Sequence, residues 1–444
     1  MDKAREAAVK IINEVHEKGA YANVALVQGL RRQELSEVDR RFVTELVYGT
    51  VKAGETLDWI LRRYVNRPIK KIPPMIADIL RMGLYQLFFM DKIPASAACN
   101  EAVELAKRYG HPGTVKFVNA VLRTAVREPE KAAFPTGKGQ ATAQLALASQ
   151  HPEWLVRRWI REFGYEEAAA LCAFDNRQAM LSLRTNTLKI HREALLAQLQ
   201  AEGAEVQPSK WAPEGIRCLS HGSLDRMPSL QQGLFQVQDE SSMQVAHVMD
   251  PQPGEFIIDT CSAPGGKATH LAALMQNDGR ILALDIYEHK LQRVAENAAR
   301  LGISIIETKL LDARQVGKFY PSQADRVLVD APCSGLGVLR RKPDARWNKT
   351  PQQLAELPAL QLEILCSAAQ AVRPGGILVY STCTILREEN QSVVEAFLTA
   401  QPGFALEDAG GLLPGEKQEA AMVQLLPQRD GTDGFFIARM RRKE

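Results

Sequence analysis

The sequence predicts a multidomain protein: an all-α N-terminal domain, a small α+β domain, and a C-terminal α/β domain built on a mostly parallel, doubly wound sheet. Three observations carry this expectation. The chain has 444 residues, more than the roughly 250 to 300 that one hydrophobic core accommodates. From Ala4 to about Arg127 apolar residues recur at three- and four-residue steps with no strand-like alternation, the signature of packed helices. After Asp250, short apolar runs alternate with long helical patterns, as in a parallel sheet covered by helices on both faces.

Taken in order, the helical region is carried by Val9, Ile12 and Val15, by Phe42, Leu46 and Val47, and by Ile76, Ile79, Leu80, Leu84 and Leu87, with Pro68, Pro73, Pro74, Pro94 and Pro112 at expected helix boundaries. The stretch from Glu128 to Gln140 lacks periodicity and is rich in Pro, Gly and Lys, which reads as a linker. The expected domains are therefore 1–130, a linker at 131–144, a small α+β domain at 145–235 and the α/β domain at 236–444. Within the small domain, helices are expected over 152–163, 165–174 and 191–202, with a strand over 180–184; Gln238-Asp-Glu-Ser-Ser242 reads as a helix cap opening the last domain. There, strands are expected over 256–259, 281–285, 303–310, 324–330 and 376–381, and 422–426 with 435–440 as an antiparallel pair closing the sheet edge.

Composition excludes several classes. At 45% hydrophobic and 24% charged the chain is neither disordered nor collagen-like. No apolar run approaches the ~18 residues of a membrane span, and the charged, amphipathic N-terminus does not read as a signal peptide, so a cytoplasmic location is expected. Seven scattered cysteines without a Cys-x-x-Cys pair exclude a disulfide scaffold and argue against a zinc ribbon. Residues 1–134 hold 22 Lys and Arg against 16 Asp and Glu, the remainder 33 against 36; this N-terminal surplus suits contact with a polyanion or a solvated helical surface equally well.

The motifs gather at the ends of the expected strands. The first strand of the last domain runs into Asp259-Thr-Cys-Ser-Ala-Pro-Gly-Gly-Lys-Ala-Thr, where Gly265 and Gly266 let backbone approach a ligand at a strand-to-helix turn. Neither a G-x-G-x-x-G nor a Walker sequence is present, which excludes a nicotinamide dehydrogenase and a P-loop enzyme. Asp285 ends the second strand, placed to accept from ribose hydroxyls, and Asp312 follows the third, within expected reach of an adenine amine. One such acid would read as a cap; three at successive strand ends favour an adenosine-containing cofactor. The fourth strand ends in Asp330-Ala-Pro-Cys-Ser-Gly and the fifth in Tyr380-Ser-Thr-Cys-Thr, placing Cys333 and Cys383 at neighbouring strand ends. Cys172, Cys218 and Cys366 lack that setting and read as buried small hydrophobes. No histidine or third cysteine stands at ligand spacing near the pair, so no metal is expected.

Asp-x-Cys-x-Ala-Pro-Gly-Gly-Lys, Asp-Ala-Pro-Cys-Ser-Gly and Ser-Thr-Cys-Thr in this order resemble the RNA cytosine-5 methyltransferases that use S-adenosyl-L-methionine. The helical segment in front resembles the RNA-binding NusB domain, and the combination is similar to bacterial small-subunit ribosomal RNA cytosine-5 methyltransferases of the RsmB (Sun/Fmu) type. The resemblance spans nearly the whole chain and implies a NusB-like domain, a small domain completing an RNA groove, and a Rossmann-like methyltransferase domain. It implies that Cys261, Ser262, Ala263, Pro264, Gly265, Gly266 and Lys267 surround the methionine moiety, that Asp285 holds the ribose and Asp312 the adenine, and that Asp330 sits between methyl group and target base. It also implies Cys383 as nucleophile and Cys333 as the residue assisting product release.

These roles suit the chemistry. Carbon 5 of cytosine is a poor nucleophile until a thiolate adds to carbon 6, and a thiol with an ordinary pKa of ~8.5 needs an electropositive setting to supply it. A carboxylate such as Asp330 accepts from the exocyclic amine, and in protonated form would donate toward N3. Arg340, Arg341, Lys342 and Arg346-Trp347, following the Pro-Cys loop, are expected to contact phosphate and position the base, and Arg184 in the family-like segment Leu183–Lys189 to contact RNA. The expected partner is small-subunit (16S) ribosomal RNA, bound by a monomer without membrane or metal. The rivals are the same chemistry on tRNA or another ribosomal site, and a non-catalytic assembly factor, which the intact Cys383 and Gly265-Gly266-Lys267 argue against.

Overall fold

The structure, a computed structural model, describes residues 2–137, 139–222, 224–415 and 419–444. Contacts divide the chain into two compact units: everything up to Arg177 together with Leu339–Lys349, and Gln178–Val338 with Thr350–Glu444. Among the described residues no helix is long and apolar enough to cross a membrane.

The first unit is helical throughout, as its periodicity predicts. Helices Lys3–Lys18, Ala22–Arg31, Glu37–Leu61, Pro74–Phe89, Ala95–Tyr109 and Pro112–Arg127 bury Ile12, Leu46, Leu57, Ile79, Leu84 and Leu122 in one core. Asp2 and Ser36 cap the first and third of these, accepting from Ala4 N and Asp39 N, and Pro74 and Pro112 stand in first turns, where the missing N–H leaves no bond unmade. Helices Ala141–Ser149, Glu153–Phe163 and Tyr165–Asp175 follow. The first begins inside the expected linker, and all three group with the N-terminal helices. Helix Glu37–Leu61 breaks its geometry at Gly54 (φ 11°, ψ −101°). A Cβ there would lie 2.6 Å from Trp347 Nε1, which donates to the carbonyls of Val51 and Lys52. The 339–349 segment is thus anchored into the helical unit.

The second unit contains two sheets. The smaller is antiparallel, in the order β2-β3-β1-β4, built from β1 (Leu181–Thr185), β2 (Glu205–Pro208), β3 (Gly215–Ser220) and β4 (Phe235–Val237). The larger contains β5 (Phe256–Asp259), β6 (Arg280–Asp285), β7 (Ile306–Leu310), β8 (Ala324–Asp330), β9 (Val372–Thr382), β10 (Phe404–Leu406), β11 (Met422–Leu425) and β12 (Phe435–Arg442). Its order is β10-β12-β9-β8-β5-β6-β7, with β11 beside β12. The pairs from β9 through β7 are parallel and those of β12 antiparallel. β5 and β8 bury Ile257, Ile258, Val327, Leu328 and Val329 completely, the continuous apolar run of strands covered on both faces. The Rossmann-like expectation is met.

One edge differs from expectation. The antiparallel pair does not close the sheet: β12 lies inside it and β10 forms the margin. β10 has three residues and only Phe404 buried, too short for an alternation to register in sequence.

Candidate active site

Parallel register brings the motifs together. Asp259, at the end of β5, pairs with Ala283 on β6 and Leu328 on β8, Asp330 with Ser381, and Asp285 with Leu310. The carboxyl ends of five strands therefore form one rim, where open α/β sheets bind ligands.

The glycine turn occupies its centre. After β5 the chain passes a cis Ala263–Pro264 bond into Gly265, which has φ 98° and opens helix Gly266–Leu274. Two constraints demand glycine at 265: the left-handed backbone, and a space in which a Cβ would meet Val294 at 3.1 Å. Ser262 N donates to Leu284 O and Asn297 Nδ2 to Pro264 O, fixing both flanks. Asp285 accepts from Tyr287 N at 3.0 Å. Beside it Ile286 and, on the next strand, Leu310 are more than half exposed, an apolar platform next to a carboxylate that fits an adenosine. Asp312 is used locally: it caps a helical turn through Arg314 N and pairs with the Arg314 guanidinium at 2.6 Å.

The two cysteines meet. Cys333 Sγ and Cys383 Sγ are 3.3 Å apart. Its bond to Cys383, and then burial, push the Cys333 thiol well above its ordinary pKa, so Cys333 keeps its proton and can donate it toward its neighbour. Cys261, by contrast, is pushed up to about 12 by burial, which makes it an inert wall of the turn. Lys267 Nζ lies 2.7 Å from Asp330 Oδ2, and Ser381 Oγ donates to Asp330 Oδ1 at 2.9 Å. Burial works against the Lys267 charge, but Asp330 outweighs it and holds the ammonium above its usual range, with Cys383 adding to the effect.

Sequence reasoning missed the residues that hold these loops. Glu389, 1% exposed, accepts from Ser334 N at 2.8 Å, Gln361 Nε2 at 2.9 Å and Thr384 Oγ1 at 3.2 Å, so one carboxylate ties the Pro-Cys loop to the Thr-Cys loop. Asn390 accepts from Thr382 Oγ1 and donates to Thr384 O. Their only sequence signal is Glu-Glu-Asn beginning five residues beyond Cys383, which alone reads as solvated loop.

Two residues expected to contact RNA are engaged inside the protein. Arg184 is 1% exposed and donates to Gln238 Oε1, Gly266 O and Thr269 Oγ1: it braces the glycine turn from behind. Arg346 is fully buried and donates to Gln150 O and Asn176 Oδ1, stapling helices of the first unit. Both guanidiniums are spent on buried backbone and side-chain oxygens of the protein itself. Arg340 lies 4.7 Å over the Phe174 ring, Arg341 is half-buried and Lys342 exposed; all three belong to the first unit.

Asp259 is fully buried, and burial with the nearby Asp330 charge raises it from 3.8 to about 7. Between those values the folded chain holds a proton that the unfolded chain has lost, so this group's contribution to stability falls as pH rises from about 4 to 7 and stays low above. Asp259→Asn is expected to remove that slope, gaining stability relative to wild type by roughly 4 kcal/mol more at pH 8 than at pH 3.5. Urea unfolding of both proteins at the two pH values measures it; an unchanged difference would mean an ionised, partnered carboxylate.

Comparison with known proteins agrees with this geometry. The family described as 16S rRNA methyltransferase RsmB/F matches residues 246–441, the NusB family residues 2–127, and an RsmF/B-like ferredoxin-like domain residues 151–225. Among solved structures, PH0851 is 27% identical with a TM-score of 0.86 over 99% of this chain and 98% of its own. NSun6 from Pyrococcus horikoshii, solved with SFG, is 26% identical with a TM-score of 0.60 over 66% of this chain and 98% of its own. The probable ribosomal RNA small subunit methyltransferase B of Bacillus subtilis is 41% identical over 99% of this chain and 98% of its own. With that identity over full length, and all three parts matched in order, the chain belongs to the ribosomal RNA small subunit methyltransferase B family.

Proposed function

We propose that the protein methylates carbon 5 of a cytosine in small-subunit (16S) ribosomal RNA, with S-adenosyl-L-methionine as donor and a covalent cysteine–C6 intermediate. The observation that carries this reading is the Cys333–Cys383 pair, 3.3 Å between sulfurs, on the rim shared with the Lys267–Asp330 ion pair. A second thiol beside the first has no use in methylation of an exocyclic amine or a ribose hydroxyl, where the acceptor is already nucleophilic.

The glycine turn, Asp285 and the exposed Ile286 and Leu310 fit an adenosine-containing donor, and the related NSun6 structure holds SFG, an S-adenosylmethionine analogue. When bound, the donor supplies an electrophilic methyl group and leaves as a neutral thioether. The chain's own residues do the rest. Cys383 adds as thiolate to C6 of the base, forming the S–C6 bond and giving C5 the electron pair with which it takes the methyl. Cys333 and Lys267 stabilise the thiolate before attack, one by its S–H and the other by its charge. Asp330, which accepts from Lys267 and Ser381, accepts in this reading from the exocyclic amine. The C5 proton then leaves to a base, the C6–S electrons return to Cys383, and Cys333 assists this elimination. The target nucleotide must leave its stack to reach the rim, which looped RNA makes cheaper.

Within this reading the division 1–130, 145–235 and 236–444 assigns RNA docking to the NusB-like part, completion of the groove to the small domain and chemistry to the last. Of the adenosine contacts we retain Asp285 as a direct one; Asp312 would first have to release Arg314. Lys342, with Arg340 and Arg341 beside it, stands for phosphate contact. The test is methylation of unmodified 16S ribosomal RNA with methyl-labelled donor, followed by nucleoside digestion and mass spectrometry. Label in 5-methylcytidine is expected; label in any other nucleoside would overturn the reading.

A further inference from the structure

We propose that Glu214, His247 and His270 form a site for a zinc-type divalent cation that ties the small sheet to the helix carrying the glycine turn. The three side chains come from separate elements: Glu214 immediately precedes β3, His247 lies on helix Glu240–Met249, and His270 on helix Gly266–Leu274, four residues beyond Gly266. Their spacing in sequence, 33 and 23 residues, matches no metal motif, so the group exists only in the fold.

Its geometry is that of a ligand set. Glu214 Oε1 lies 3.0 Å from His247 Nε2 and 2.9 Å from His270 Nε2, and one ligand atom from each residue falls within 4.8 Å of the others. In a zinc site with Zn–N and Zn–O bonds near 2.0 Å, neighbouring ligand atoms stand roughly 3.3 Å apart, so the two contacts to Glu214 need open by only a few tenths of an ångström, and all three ligand atoms already lie within 4.8 Å of one another. The two rings approach at 85°, centroids 5.5 Å apart, presenting their Nε2 atoms to one carboxylate. Two imidazoles and a carboxylate are donors that zinc accepts readily.

His270 supplies a second observation. It is 1% exposed, and neither of its ring nitrogens has an aligned hydrogen-bond partner: the contact with Glu214 is close but misses the N–H direction. A buried imidazole in that condition calls for an ion or water at its nitrogen. His247 retains 16% of its side-chain exposure and gives an ion its way in. The backbone of Glu214 is held by Thr185 N on β1, so an ion here would join β1 and β3 to the helix whose first residues are Gly266 and Lys267. Arg184, which braces the same helix, opposes a cation nearby, so a moderate affinity is expected.

The test uses the full, tag-free chain after chelation and dialysis, titrated with Co²⁺ and in parallel with Zn²⁺. Because Cys333 and Cys383 form a second possible site, the titration is run in wild type and in a Cys333→Ser, Cys383→Ser background. We expect one Co²⁺ per chain in that background, with visible ligand-field absorption lacking thiolate charge transfer. His247→Gln, chosen because His247 is the most exposed of the three side chains, should weaken binding by at least ~10-fold and abolish the rise in melting temperature that Zn²⁺ gives. Binding that vanishes with the cysteines, binding unaffected by His247→Gln, or no binding at all would each overturn the proposal and leave a buried His–Glu cluster.

Discussion

Cys333→Ala is expected to accumulate a denaturation-resistant adduct between protein and methyl-labelled RNA, while Cys383→Ala forms no adduct and loses methyl transfer by at least ~10⁴-fold, the scale on which removal of a nucleophile acts. Denaturing gels and label counts on ribosomal RNA read both outcomes. The asymmetry follows from the pair itself. The sulfurs are 3.3 Å apart, so only one can be a thiolate at a time, and Cys333 is the one driven to keep its proton. That leaves Cys383, next to the Lys267 ammonium, to carry the charge and attack. Cys333 remains within reach of the same carbon–sulfur bond when it must break, and losing it stalls the reaction after methyl transfer. An adduct accumulating in Cys383→Ala instead would assign the attack to Cys333.

Much of this site was legible because its residues obey the period of the elements that carry them. Asp259, Asp285 and Asp330 end apolar strands, and a parallel sheet has only one edge where such ends can meet. Cys333 and Cys383, fifty positions apart, come together because β8 and β9 pair in register, Asp330 beside Ser381. Arginine roles were not legible. Arg184 and Arg346 look in sequence like Lys342, yet their partners are Gly266 O and Gln150 O, backbone acceptors that any residue supplies and no composition reveals. Glu389 was hidden for the complementary reason: its donors Ser334, Gln361 and Thr384 are ordinary polar residues until two loops fold around one carboxylate. The His247–Glu214–His270 group likewise depends on contacts between helices and a sheet that no spacing rule records.

Arg184→Met is expected to destabilise the fold by roughly 3 kcal/mol or more, since hydrogen bonds from a charged donor contribute about 1.5 to 3 kcal/mol each and three are lost together. The loss is focused on the glycine turn. Gly266 O, Thr269 Oγ1 and Gln238 Oε1 all accept from this one guanidinium, so the helix that opens at Gly266 loses its rear support and S-adenosylmethionine binding should weaken with it. RNA binding separates this role from the one expected of a surface arginine. A residue on a phosphate adds about one unit to the slope of log affinity against log salt; Lys342→Ala, on an exposed side chain, should lower that slope by about one and leave unfolding unchanged. Arg184→Met should do the reverse, shifting the urea midpoint and the cofactor titration while the salt slope stays as in wild type. A lowered slope with intact stability would place Arg184 on the RNA and show that the segment opens in solution to release it.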